Sequence, residues 1–178
     1  METGPILSLM TFLPLLGGVL VFLFPRDLAK GISLLFSLLA FAVSLAIFFS
    51  FDPSSPFLQF EEIKRWIPQF GISYRLGVDG LSLLLVLLTT FITPVVILSS
   101  FSAIRQKEKW YYGLFLILET GMLGTFLATD IFLFYVFWET MLIPMYLIIG
   151  VWGGDRRIYA AIKFILYTAF GSLLMLVA

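Results

Sequence analysis

The sequence predicts an all-α membrane protein with about six transmembrane helices, and three observations support this. Of the 178 residues, 61% are hydrophobic and 12% are charged, whereas an ordinary soluble domain carries about 25% charged residues. The apolar residues form runs of about 20, the length that crosses a hydrocarbon core of ~30 Å. The basic residues of the short connectors all fall on one side of the bilayer.

The predicted spans are, in chain order, 5–24, 32–51, 81–104, 112–129, 131–151 and 158–178. Met1, Glu2 and Thr3 carry no positive charge, and the first basic residue is Arg26. A cleavable signal peptide begins with a positively charged segment. We therefore expect the first apolar run to remain as a spanning helix.

The positions of Lys and Arg predict the orientation. The connectors between spans 1 and 2, 3 and 4, and 5 and 6 contain Arg26, Lys30, Arg105, Lys107, Lys109, Arg156 and Arg157. The connector between spans 4 and 5 has only Asp130, and the N-terminus has only Glu2. Because basic connectors stay on the cytoplasmic side, the N-terminus is predicted to be outside.

The long connector, 52–80, then lies outside and is predicted to hold a small extended hairpin. Its apolar residues Ile72, Tyr74, Leu76 and Val78 alternate with smaller or polar ones, a period of two that is typical of a strand. Residues 60–67 are expected to pair with this strand across 68–71. The alternative is an ordered loop. Asp79 is predicted to be the N-cap of the third helix.

One carboxylate, Glu139, lies in the middle of the apolar run 131–151, which has no other charge. An ionisable side chain at this depth costs about 2.5 to 3.5 kcal/mol on insertion scales, and it normally marks an ion or proton path. The alternatives are a carboxylate kept for helix packing or one that reaches the surface. The short side chain of Glu argues against the second.

Two further ionisable residues, Glu119 and Lys163, lie inside predicted spans. At about 1.5 Å per residue, Glu119 is roughly 10 Å and Lys163 roughly 8 Å from the inner boundary. These two share a level and are expected to pair if the fourth and sixth helices are neighbours. Glu139 is about 10 Å further out than Lys163, within reach of one or two waters. Lys163 could instead extend to the inner surface.

Pro144 lies one turn beyond Glu139. A proline removes one backbone donor and clashes with the carbonyl four residues back, here that of Thr140. We therefore expect a helix break near the site, with a polar backbone position where a water chain could begin. Pro94 affects the carbonyl of Thr90 in the same way and is interpreted as a packing kink.

The chain has no Cys and no His. An iron–sulfur cluster would lack thiolate ligands, and a zinc or haem site would lack imidazole. We therefore expect no cofactor bound by this chain. The net charge of zero gives no indication of a nucleic-acid partner, and the absence of Cys leaves the redox compartment undetermined.

Three stretches carry a family resemblance. They are FWETMLIPMY at 137–146 followed by GVWGG at 150–154, GVDGLSL at 77–83 with TTFITP at 89–94, and AIKF at 161–164 with Tyr167, Thr168, Gly171 and Ser172. The chain resembles the antiporter-like membrane subunits of proton-translocating NADH:quinone oxidoreductase (respiratory complex I), above all the subunit called M in bacteria and chain 4 in mitochondria. The resemblance is weakest before residue 70.

The resemblance implies a non-redox subunit that moves protons in an energy-coupling membrane, such as the inner membrane of a bacterium. Its partners would be other membrane-arm subunits, and other subunits of the complex would handle NADH and quinone. The resemblance also implies that Glu139 is the family's essential glutamate. Lys163 and Glu119, the other ionisable residues inside predicted spans, are expected to serve as relays. Members are longer and contain inverted helix repeats, so the chain is expected to cover their first third. Residues 1–110 would form a three-helix segment, and 111–178 would begin the first repeat.

Two alternatives remain open. The chain could belong to a multi-subunit sodium/proton antiporter or a membrane-bound hydrogenase of the same superfamily, because the motifs do not separate these complexes. It could also be a truncated scaffold without transport activity of its own, because half a proton path conducts nothing.

Overall fold

The computed structural model of the protein describes residues 4–177, which form six helices and one hairpin. The helices are α1 (Ile6–Leu23), α2 (Arg26–Ser50), α3 (Gly80–Ala103), α4 (Glu108–Leu127), α5 (Ile131–Trp152) and α6 (Arg157–Val177), and the strands are β1 (Gln59–Ile67) and β2 (Ile72–Val78). The predicted order is confirmed. Helices α2 and α4 begin earlier than their apolar runs because polar residues end a hydrophobic span without ending a helix. Met1–Thr3 and Ala178 lie outside the described residues.

Helix α4 is the central helix of the bundle. It packs against α1, α2, α3 and α5. The other five helices are long and apolar enough to cross a membrane by themselves, whereas α4 does not meet that criterion. Neighbouring helices rather than lipid cover most of α4, so its surface can be less apolar. The chain is a multi-pass membrane protein in which five lipid-compatible helices accompany one enclosed helix.

Small residues allow close packing around α4. A Cβ atom at Gly18 of α1 would lie 3.1 Å from the backbone oxygen of Gly113 of α4. At Gly124 of α4, the same position is occupied by the ring of Phe137 from α5. Helix association in a bilayer relies on van der Waals contact, which small residues at the interface make possible.

The basic residues that predicted the orientation also hold the inner helix ends together. The Nζ of Lys109 donates a hydrogen bond to the carbonyl of Phe22 at the end of α1 (2.9 Å). The Nζ of Lys30 donates to the carbonyl of Phe101 in the last turn of α3 (3.0 Å). Cations stabilise helix C-termini because the carbonyls there have no partner within the helix.

The predicted outer hairpin is present. Strands β1 and β2 are antiparallel and are joined by a 3₁₀ turn at Pro68–Phe70. Gly71 then adopts a left-handed conformation with φ 69°, which glycine tolerates without a Cβ clash. Strand β2 leads into α3, where Asp79 is the N-cap as predicted, since its carboxylate accepts a hydrogen bond from the N–H of Ser82 (2.7 Å).

A carboxylate of the hairpin caps α1. Glu62 is 7% exposed, and it accepts hydrogen bonds from the backbone N–H groups of Leu7 (2.6 Å) and Ser8 (3.2 Å). These N–H groups have no partner within the helix, and Pro5 at the N-cap position supplies no side-chain bond. The hairpin thereby holds the outer end of α1.

Asp130 connects the hairpin to α5. Its carboxylate accepts from the N–H groups of Phe132 (2.9 Å) and Leu133 (3.2 Å), and also from the backbone N–H of Ser73 in β2 (3.1 Å). Burial opposes ionisation, but these hydrogen bonds outweigh it and hold the pKa of Asp130 below its usual value. Asp130 is therefore both the N-cap of α5 and an anchor of the hairpin.

Candidate functional site

Glu139 lies on the side of α5 that faces away from α4. Phe137 and Met141 of α5 pack on Gly124 and Gly121 of α4. Residues two apart on a helix differ by about 200° in direction, so Glu139, between those two, points away from α4. It is half-buried and contacts α6.

The partner of Glu139 is Ser172 of α6, whose hydroxyl donates a hydrogen bond to Oε1 of the carboxylate. Ser172 and Ala161 are the two buried residues that the structure describes on α6. Sequence reasoning gave Ser172 no role. The usable signal was the short connector between α5 and α6. It makes the two helices antiparallel neighbours, and residues at similar distances from the connector lie at the same level on both helices.

Lys163 lies about 13 Å closer to the inner side than Ser172 along α6. Its Nζ is 5.8 Å from the ring centroids of both Tyr159 and Tyr167, one turn before and one turn after it. A cation over an aromatic face is attracted by the electron density of the ring. These tyrosines hold the ammonium group beside α6, at the lower level that the depth estimate predicted relative to Glu139.

A cavity of about 620 Å³ opens beside Lys163 at the inner ends of α5 and α6. Its lining runs from the connector 153–157 up to Tyr167 and Thr168. Thr168 is one turn, ~6 Å, below Ser172 on the same face of α6. Polar side chains therefore follow one another from the inner connector to the carboxylate of Glu139.

Glu119 has different surroundings. It is fully buried on α4, and neither carboxyl oxygen has a hydrogen-bond partner among the described residues. The hydroxyl of Thr93 in α3 lies nearby, but it donates to the carbonyl of Thr89 (2.9 Å) and forms no bond of ordinary geometry with the carboxyl group. Leaving a buried polar group unpaired costs about 1 to 3 kcal/mol.

The predicted pairing of Glu119 with Lys163 is wrong. Helix α5 packs between α4 and α6, and no salt bridge joins the two side chains within residues 4–177. The depth estimate placed both residues at one level. Depth does not determine which helices are adjacent. Pairing required α4 and α6 to be neighbours, and α5 lies between them.

The predicted helix break at Pro144 is also absent. Helix α5 is continuous from Ile131 to Trp152, with Pro144 buried inside it. One proline removes one backbone hydrogen bond, and the turns on both sides keep theirs. Thr140 is exposed, and its hydroxyl donates to the carbonyl of Val136 (2.7 Å). Side-chain bonds of this type bend a helix without interrupting it.

Two family models match the chain. One is described as NADH-ubiquinone oxidoreductase chain 4, amino terminus, and matches residues 7–129. The other is described as NADH:quinone oxidoreductase/Mrp antiporter, TM, and matches residues 128–178.

Similar proteins and solved structures agree with these matches. NADH-quinone oxidoreductase subunit M of Rhodobacter capsulatus is 47% identical over 97% of this chain and 35% of its own length. NADH-ubiquinone oxidoreductase chain 4 of Arabidopsis thaliana is 45% identical over 97% of this chain and 36% of its own. A chain of respiratory complex I from Thermus thermophilus with bound NADH has a TM-score of 0.80 at 32% identity, with 96% of this chain and 34% of that chain covered.

A chain of the Mrp complex from Dietzia has a TM-score of 0.81 at 22% identity, over 96% of this chain and 18% of that one, which shows a shared fold. This chain spans about a third of the length of the curated relatives it matches. The matched regions together cover nearly all of the sequence, and the chain belongs to the family of NADH-ubiquinone oxidoreductase chain 4, known in bacteria as subunit M, and matches the amino-terminal part of the family pattern.

Proposed function

We propose that the protein is a non-redox membrane subunit of proton-translocating NADH:quinone oxidoreductase and helps to move protons across an energy-coupling membrane, the inner membrane of a bacterium. Family membership and the surroundings of Glu139 support the proposal. Other subunits of the membrane arm would be its partners, and NADH and quinone would be handled by other subunits of the complex. In this proposal the chain binds no cofactor.

The polar series between the inner cavity and Glu139 is the observation that carries the proposal. Water that fills the cavity beside Lys163 reaches Thr168, one turn below Ser172. A hydroxyl both donates and accepts hydrogen bonds, so Ser172 can hold the carboxylate and connect it to this water. Glu139 would take up and release the proton.

Lys163 would control that step through its charge. Lys163 lies about 13 Å along α6 from Ser172, the partner of Glu139. Charges separated by such a distance interact weakly in a hydrated environment, and the interaction grows as the distance shrinks. Within residues 4–177 the ammonium group is held only by two tyrosine rings. A movement along the cavity would bring it closer to Glu139. A conformational change elsewhere in the complex could drive this movement.

The remaining site residues have secondary roles in the proposal. Glu119 would be a relay on the α4 side of α5, where its enclosure predicts a smaller contribution to pumping. Thr140 and Pro144 would leave one backbone carbonyl of α5 free for water near Glu139. The region 111–178 would begin the proton-translocating repeat, and 1–110 would support it from the side of α1.

The test is Glu139→Gln in the full-length protein within its complex. This substitution keeps the size of the side chain and its hydrogen bond to Ser172 but removes the exchangeable proton. We expect quinone-coupled proton pumping to be abolished while the complex still assembles. Glu61→Gln is the matched control, because Glu61 is an exposed acid of the outer hairpin that pairs with Arg75 at 3.2 Å. Normal pumping by the Glu139→Gln variant would refute the proposal.

A second candidate is a subunit of a multi-subunit sodium/proton antiporter. The family model that matches residues 128–178 includes Mrp antiporters in its description, and the polar series can exchange protons without quinone chemistry. Sodium efflux driven by an imposed pH gradient, measured with the full-length complex without NADH, separates the two functions.

A further inference from the structure

We infer that a groove on the outer half of the bundle binds one anionic phospholipid. The groove encloses about 520 Å³ between α1, α4 and α5, beneath the hairpin. Its walls are mainly apolar and include Phe12, Leu15, Ile117, Leu133, Val136 and Phe137. Its outer rim consists of hairpin residues Lys64, Arg65, Trp66 and Tyr74. An apolar groove with a basic rim fits an amphiphile that has an anionic head.

The groove has the depth of one bilayer leaflet. Measured from the outer end of each helix, Leu15 is about 13 Å along α1, Ile117 about 15 Å along α4 and Thr140 about 13 Å along α5. One leaflet contributes about 15 Å to a hydrocarbon core of ~30 Å. An acyl chain would therefore lie in the groove from the rim to the midplane.

The rim carries positive charge that forms no salt bridge with an acid of residues 4–177. Glu61 pairs with Arg75 (3.2 Å), and Glu62 is bound to the N-terminus of α1. Lys64 and Arg65 form no salt bridge with the acids of residues 4–177, and the described groove lining includes no acid. Cations are depleted on the outer side of membrane proteins, and a lipid phosphate supplies the missing counter-charge.

Two aromatic side chains place the rim at the level of the lipid head groups. Trp66 is 48% exposed, and its ring meets that of Phe132, at the outer end of α5, edge-on with centroids 5.9 Å apart. The hydroxyl of Tyr74 is hydrogen-bonded to that of Ser8 (2.7 Å). Trp and Tyr are enriched at membrane–water interfaces because each has an apolar ring and a polar group.

The test measures lipid retention and needs no turnover, so it is independent of the proposed proton path. The full-length protein is reconstituted into phosphatidylcholine nanodiscs titrated with phosphatidylglycerol, and bound lipid is counted by native mass spectrometry. Each basic residue near a membrane surface contributes an attraction that corresponds to about a fivefold change in affinity. We expect Arg65→Gln to weaken phosphatidylglycerol binding about fivefold. Lys64→Gln should have a similar effect.

The matched control is Arg75→Gln, which removes the same charge from the same hairpin at a position already paired with Glu61. We expect it to leave affinity unchanged. Val136→Trp, which fills the groove, should abolish retention with both rim cations in place. If the Val136→Trp variant does not fold, Thr140→Leu is used in its place, because Thr140 is exposed. The Thr140→Leu variant should weaken lipid retention.

Three results would overturn the inference. Equal losses in Arg65→Gln and Arg75→Gln would show attraction to the hairpin's total charge rather than a site. Full retention in a folded groove-filling variant would show that the acyl chain does not lie there. Capture of another polypeptide rather than lipid by a photo-cross-linker at position 136 in the intact complex would show that a neighbouring subunit covers the groove.

Discussion

Helices α4 and α6 place their charged side chains in opposite environments. Helix α4 is packed on several sides and buries most of its residues between Tyr112 and Leu127, and its Glu119 is sealed without a hydrogen-bond partner among the described residues. Helix α6 packs against α5 and exposes Lys163 to an open cavity. Its Ser172 holds the carboxylate of Glu139.

The difference favours Glu139 over Glu119 as the proton-exchanging carboxyl group of the proposed function. A group that exchanges protons needs a hydrogen-bonding neighbour and a route for water. Glu139 has the neighbour, Ser172, and the cavity beside Lys163 extends to Thr168, one turn below Ser172. Glu119 has no hydrogen-bond partner among the described residues, which makes it the weaker candidate of the two. Depth does not distinguish them, because each glutamate lies about 12 Å along its helix from the outer end, Leu127 of α4 or Ile131 of α5. The packing of the neighbouring helices does.

The largest expected change in stability contrasts the packing of α4 with that of α6. Gly124→Ala places a methyl group where the ring of Phe137 lies, and overpacking of this kind costs about 1 to 3 kcal/mol. The methyl group added by Gly171→Ala on α6 has no other atom within 4 Å. This substitution should therefore be neutral or stabilise the helix by up to about 1 kcal/mol. Unfolding in detergent measures both. Equal effects would show that α4 is no more tightly packed than α6.

Glu119 should be replaceable by an apolar residue with a gain in stability. Removing a buried carboxyl group that has no partner eliminates a desolvation cost of about 1 to 3 kcal/mol, so we expect Glu119→Leu to raise the free energy of unfolding. Glu139→Leu removes a hydrogen-bonded group and should not raise the free energy of unfolding. A destabilised Glu119→Leu variant would mean that the carboxyl group has a partner in the folded protein.

Ser172→Ala should lower pumping without changing assembly. The hydroxyl donates to the carboxylate of Glu139, and a hydrogen bond to a charged group contributes about 1.5 to 3 kcal/mol. We expect a roughly tenfold loss of pumping rate, with recovery in Ser172→Thr, which restores a hydroxyl group. Thr168→Val, one turn lower, should have a smaller effect. Unchanged pumping in Ser172→Ala would separate Ser172 from the path.

The smallest effect is expected at the junction of α4 and α5. Asp130→Ala removes an N-cap, worth about 1 kcal/mol, and also the link to Ser73. Asp79→Ala removes an N-cap without an equivalent link, so it should cost less. Because folding lowers the pKa of Asp130, its stabilisation is present above the ordinary value of 3.8 and is lost as the pH falls through the folded value.

Acid unfolding of the Asp130→Ala variant and the unmodified protein tests this directly. As the pH is lowered, the stability of the Asp130→Ala variant should decline less than that of the unmodified protein. The same decline in both proteins would mean that Asp130 ionises equally in the folded and unfolded states.

The sequence predicted the helices and strands better than it predicted which of them pack together. Hydrophobic runs, basic connectors and an alternating strand are local patterns, and the six helices, the hairpin and the Asp79 cap follow from them. The cap that Glu62 supplies to α1 joins residues far apart in the chain, and no local pattern indicates it. The short connector between α5 and α6 indicates that these helices are neighbours, but it does not indicate which of their faces meet, and Ser172 was therefore missed as the partner of Glu139.

Glu139, rather than Glu119, is the carboxyl group that we expect to change protonation during turnover. Infrared difference spectra of the full-length protein in its complex, recorded between resting and energised states, detect the C=O stretch of carboxyl groups that gain or lose a proton. We predict a carboxyl band that disappears in Glu139→Gln and persists in Glu119→Gln. A band that persists in Glu139→Gln and disappears in Glu119→Gln would contradict the account.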